Sequence, residues 1–171
     1  MSKVVSESRA LMIANPGGGD TIDQLLKTIA ALPKNSKSIV VEFPCLGIPR
    51  ISYFLGEGAV KVEKERTMDQ LLLDYDRNAP AAISEYIYSK NNCDYILMNP
   101  RFNPENPVNR RINSNRSLIE LPLYLKNKLS PTYDYIFFVS QGTMINPATL
   151  YGIKVADATI FYSQNEIEFI N

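Results

Sequence analysis

The residues with the strongest claim to chemistry sit in one glycine-rich turn, Asn15-Pro16-Gly17-Gly18-Gly19-Asp20-Thr21. An apolar run, Ala10-Leu11-Met12-Ile13-Ala14, enters the turn, and a helix-patterned segment over 22–32 leaves it. Strand, glycine turn, threonine and helix is the layout with which nucleotide-binding proteins cradle phosphates. Gly17, Gly18 and Gly19 let backbone N–H groups approach an anion, and a helix N-terminus adds partial positive charge. A working loop of this kind also needs a lysine just before its Ser/Thr to neutralise the terminal phosphates. Asp20 holds that position here. A carboxylate ~4 Å from a phosphate repels it by several kcal/mol at intermediate dielectric. The frame therefore supports three readings: residual nucleotide binding, a turn inherited with the fold, or a backbone nest for a small anion.

A second group of charged residues lies over 99–116, a stretch rich in proline and asparagine. Arg101, Arg110, Arg111 and Arg116 face only Glu105, four positive charges against one negative, for a net +3. Long irregular loops in compact domains are often functional. The stretch is either solvated or holds the acidic groups of a protein partner. Lys+Arg and Asp+Glu each total 18, so formal net charge is zero, which argues against a general nucleic-acid binder. Histidine is absent, which removes the commonest general base and zinc ligand. Glu42 and Asp20 have no third carboxylate placed near them, so no metal site is expected. Cys45 and Cys93 are isolated in apolar surroundings and read as reduced core thiols.

Alternating strands and helices position these groups. Strands are expected over 9–14, 38–43, 94–98, 133–139 and 158–162, and helices over 20–32, 51–55, 67–73, 79–90, 117–129 and 147–155. Thr67 with Gln70 reads as a capping box, and Pro33 stops the first helix. The Tyr and Phe residues of 133–138 read as core. The chain of 171 residues is expected to form a single α/β domain, 1–171, with a mainly parallel sheet of about five strands covered on both faces. Ligands of such sheets bind at the carboxyl ends of strands. The glycine turn, 44–49, the arginine stretch and 140–146 all leave those ends and should share one rim. No apolar run reaches ~18 residues and no signal-peptide hydrophobic region opens the chain, so the default expectation is a cytoplasmic protein without a membrane span.

Distributed over nearly the whole chain, these pieces resemble the MinD/ParA family of ATPases with a deviant Walker A motif, most closely the TadZ/CpaE proteins of Tad-type pilus assembly. Pro16-Gly17-Gly18-Gly19-Asp20-Thr21 sits where the family writes K-G-G-x-G-K-[ST], one residue shorter. Val41-Glu42-Phe43-Pro44-Cys45-Leu46-Gly47 matches its V-D-x-D-x-x-x-G. Phe54-Leu55-Gly56, then Arg66-Thr67-Met68-Asp69-Gln70-Leu71-Leu72, resembles L-L-G … R-T-L-x-D-L-L. Tyr133 to Gly142 resembles the Y-D-Y-V-V-V-D-x-P-P-G strand and switch, and Ala156-Asp157-Ala158 resembles the A-D-x that follows. The resemblance implies a three-layer P-loop NTPase-like sandwich with strand order 3-2-4-1-5.

The departures fall on the positions that do chemistry in the family. Pro16 or Asn15 stands for the lysine that reaches across a dimer, and Asp20 for the phosphate-loop lysine. Glu42 and Pro44 stand for the two switch aspartates, and Val139 for the aspartate that holds Mg²⁺ through water. Gln141 and Gly142 complete the second switch-like segment. Of the Mg²⁺-binding pair only Thr21 remains. Phosphoryl transfer rests on cations and metal. The expectation is a domain with no catalytic residues and no cofactor, acting as a scaffold or localisation module in a bacterial pilus or secretion assembly. Its rim would carry the protein partner through Arg101, Arg110, Arg111 and Arg116. The alternatives are an active ATP- and Mg²⁺-dependent switch with an atypical loop, and a DNA-associated partition accessory. The resemblance also implies further strands after 158–162. With little chain following, that strand is expected at an edge, either paired in a homodimer or covered by the tail over 165–171.

Overall fold

In a computed structural model, residues 8–15, 22–44, 49–56, 66–101, 108, 111–141 and 146–162 are described. Five apolar runs become parallel strands: β1 (Arg9–Asn15), β2 (Ser38–Glu42), β4 (Cys93–Ile96), β5 (Tyr135–Gln141) and β6 (Ala158–Phe161). A short strand, β3 (Tyr88–Lys90), joins them antiparallel. The sheet runs β3-β4-β2-β5-β1-β6. The expected order 3-2-4-1-5 is present as β4-β2-β5-β1-β6, and β3 makes the sheet six-stranded rather than five-stranded. All of β2 is buried, as a strand covered on both faces must be.

Alternation along the strands sends side chains into two cores. Met12, Val41, Phe43, Ile136 and Phe138 pack on one face with Leu71 and Leu72 of α3 (Met68–Asp76), Leu118, Leu121 and Leu125 of α4 (Asn115–Leu129), and Ala148 of α5 (Pro147–Val155). Ile13, Val40, Leu97, Phe137 and Val139 pack on the other with Ile22 and Leu25 of α1 (Ile22–Ala30) and Ile51 and Leu55 of α2 (Arg50–Gly56). The result is a three-layer α/β sandwich. Each of these fully buried large side chains contributes about 1.5–3 kcal/mol. Phe43 and Phe138 stack with centroids 5.0 Å apart.

Local chemistry explains most boundaries. Thr67 Oγ1 accepts from Gln70 N–H at 3.3 Å to start α3, and Gln70 Nε2 donates onward to Asp74 at 2.8 Å. Asn78 ends α3 in the left-handed region, φ 55°. Its N–H returns to Tyr75 O and that of Ala79 to Asp74 O, the paired bonds of a Schellman motif with asparagine in glycine's usual place. Asn146 caps α5 from the Ala148 N–H at 2.9 Å, with Pro147 at the first helical position.

One expected helix is absent. Residues 79–90 form a single 3-10 turn (Ile83–Tyr86) and then β3. Asn91 (φ 52°) and Asn92 (φ 60°) both lie in the left-handed region and link Lys90 to its register partner Cys93. Two consecutive positive-φ residues make the tight turn that matches strand twist, so the segment closes as a hairpin onto β4 instead of coiling. Pro80 at its start and the Tyr86-Ile87-Tyr88 run also favour extended backbone.

Cys93 is a buried free thiol, and Cys45 lies outside the described residues. Among the described residues β6 pairs only with β1. The tail expected to cover that edge lies outside them. No helix among the described residues is long and apolar enough to cross a membrane.

Candidate rim site

The carboxyl ends of β1, β2, β4 and β5 gather on one rim, as the parallel topology requires. Glu42, the last residue of β2, is fully buried. Its Oε1 accepts from Ile51 N–H at 2.9 Å. Its Oε2 accepts from Ser52 N–H at 3.2 Å, from Met98 N–H at 3.1 Å and from the Ser52 hydroxyl. One carboxylate thus fastens the end of β2, the first turn of α2 and the chain leaving β4. Burial pushes the Glu42 carboxyl up from its ordinary value, and these hydrogen bonds pull the other way.

A second carboxylate grips the same exit from the opposite side. Asp69, in the first turn of α3, accepts from Asn99 N–H at 2.7 Å. Its other oxygen lies 4.0 Å from Arg111 Nη2. Burial raises the Asp69 carboxyl too, against the Asn99 hydrogen bond and the Arg111 charge. The successive amides of Met98 and Asn99 are therefore held by two acids from the two faces of the sheet.

The exits of β2 and β5 are tied by neutral groups. Asn146 Nδ2 donates to the carbonyl of Pro44 at 2.5 Å. Ser140, near the end of β5, shares a hydroxyl hydrogen bond of 2.5 Å with Thr149 of α5. Phe43 N–H donates to Val139 O at 2.9 Å. Behind this rim, Gly152 of α5 passes so close to the sheet that a Cβ there would lie 2.5 Å from Phe43 Cε2.

Glu42 and Pro44 are both on the rim and both bonded within it. Val139 is fully buried beside Ile13, Val40 and Ile51, as a core residue of the α1/α2 face. Gln141 ends β5 opposite Asn15 in register. Gly17, Gly18, Gly19, Asp20, Thr21, Gly142 and Arg110 lie outside the described residues. Arg101 is exposed next to the β4 exit, its N–H donating to Asn99 Oδ1 at 2.9 Å. Arg116 sits apart from this group, in the first turn of α4, where it pairs with Glu120 at 2.6 Å. Sequence reasoning did not single out Ser52, Asp69, Asn146 or Thr149. The Asn146-Pro147 pair was the available signal for a helix cap. Nothing local marks Ser52 or Thr149.

No family model matches the chain, and no curated protein does. Solved structures do match in fold. MinD from Pyrococcus horikoshii, complexed with Mg-ADP, superposes with a TM-score of 0.63 at 18% identity, over 94% of this chain and 59% of that one. A putative plasmid partition protein from Borrelia burgdorferi, bound to AMPPNP, gives 0.63 at 16% identity, over 91% and 61%. A ParA family ATPase from Chlorobium tepidum gives 0.60 at 16%, over 90% and 60%. The chain has a ParA/MinD-like fold and spans about three fifths of the length of these structures.

Proposed function

We propose that this chain is a MinD/ParA-like domain that does not carry out phosphoryl transfer and serves as a scaffold or localisation module. The observation that carries the reading is the rim, cross-linked by the chain's own side chains. Glu42 joins β2, α2 and β4, and Asn146 joins α5 to Pro44. The Val139 side chain carries no oxygen for a metal and is packed among apolar side chains. The oxygens of Glu42 already receive donors from Ile51, Ser52 and Met98. As placed, neither Glu42 nor Val139 fits a magnesium nucleotide. The resemblance to TadZ/CpaE proteins supports placing this scaffold on the cytoplasmic side of a pilus or secretion assembly, with a protein partner on the rim.

Turnover of ATP and GTP at background level is the expected result for the purified chain. Mg²⁺-dependent turnover that Thr21→Ala abolishes would contradict the reading and favour an active switch. Asp20→Lys alone is expected to leave turnover at background, because Pro44 and Val139 still supply no carboxylate. Rescue by that single change would show that the two switch segments are misassigned.

A further inference from the structure

We infer that Arg101 and Arg111 form a receiving pair for a carboxylate-rich segment of a protein partner, an inference that rests on the scaffold reading and names its partner's chemistry. Three contacts link the Arg101 backbone to the Arg111 guanidinium and set the two residues on one patch. Arg101 N–H donates to Asn99 Oδ1, Asn99 N–H donates to Asp69 Oδ2, and Asp69 Oδ1 faces Arg111. Arg101 is exposed, and the Arg111 side chain is 39% exposed. At 4.0 Å from Asp69, the Arg111 guanidinium is steadied by charge without a close hydrogen bond, so its donor fork stays open to an incoming carboxylate. Asp69 is buried and held by Asn99, so it anchors Arg111 and cannot follow it outward. Arg116 differs, because its guanidinium is already engaged by Glu120 at 2.6 Å.

The patch suits carboxylates better than a phosphate backbone. Nucleic-acid binding draws on about 6–10 phosphate contacts and a basic field. Here the chain is neutral overall and one buried acid sits beside the pair. Two arginines with planar forks match two acidic side chains presented by a peptide.

The test uses the full chain and a short fluorescent poly-glutamate peptide, read by anisotropy at low salt, with a DNA duplex as competitor. The peptide is expected to bind. Arg101→Gln and Arg111→Gln are each expected to weaken it by about 10-fold, the effect of losing one charge-assisted hydrogen-bonded pair. Lys34→Gln removes the same charge from the exposed loop at the opposite rim and is expected to change nothing. Three results would overturn the inference: no binding, equal weakening by all three changes, or displacement by DNA at lower concentration than by unlabelled peptide. ATP turnover measured on the same preparation separates the two claims. A chain that hydrolyses ATP and still needs Arg101 and Arg111 for the peptide loses the scaffold reading and keeps this one.

Discussion

Glu42→Ala is expected to destabilise the protein by about 3–5 kcal/mol, because three backbone N–H groups and one hydroxyl lose their acceptor in the interior. The loss should be cooperative, since the same carboxylate holds β2, α2 and the exit of β4. Glu42→Gln keeps the shape but turns an NH₂ toward donors, and is expected to cost about 1–3 kcal/mol. The sign of the pH dependence follows from the raised folded-state pKa. A carboxyl with its pKa raised contributes stability below its ordinary value of 4.5, and that contribution is lost as pH rises through the folded value. The stability gap between the wild type and Glu42→Gln should therefore narrow as pH rises above 4.5. Urea unfolding midpoints at a series of pH values measure this. A gap that widens with pH would mean the hydrogen bonds outweigh burial and the folded carboxyl is the stronger acid.

Gly152→Ala should be the most damaging single methyl group added to the α5 face. The new Cβ would stand 2.5 Å from Phe43 Cε2 and 3.0 Å from Met12 Sδ. The Phe43 ring is fully buried and stacked on Phe138, so it has nowhere to move. Overpacking of this kind costs about 1–3 kcal/mol, against a helix-propensity gain of about 1 kcal/mol. For a domain of this size each net kcal/mol lowers Tm by about 2–4 °C. The clash predicts its own relief: in a Phe43→Leu background the same substitution should cost less. Equal costs in the two backgrounds would place the strain elsewhere.

The five parallel strands were legible because a strand covered on both faces must be apolar at nearly every position, as in Ile39-Val40-Val41 and Ile136-Phe137-Phe138-Val139. β3 was not, because its residues also fit a helical stripe. The deciding signal was the Asn91-Asn92 pair, which sets φ > 0 twice and forces a hairpin. On the rim, the acid at position 42 could be read from the sequence, but its task could not. Three of its four donors are backbone groups, 9 to 56 residues away, and they meet it only through the crossovers. The arginine stretch shows the same divide. Its net charge is visible in composition, whereas the split between Arg111 on Asp69 and Arg116 on Glu120 depends on where α3 and α4 come to lie. The Arg116–Glu120 spacing of one helical turn was the readable half.

Held together by its own side chains, the rim is proposed to take no magnesium nucleotide. A calorimetric titration of the full chain with ATP, run with and without Mg²⁺, is the decisive experiment. No saturable heat that depends on Mg²⁺ is expected. Saturable binding that requires Mg²⁺ and disappears in Thr21→Ala would contradict it.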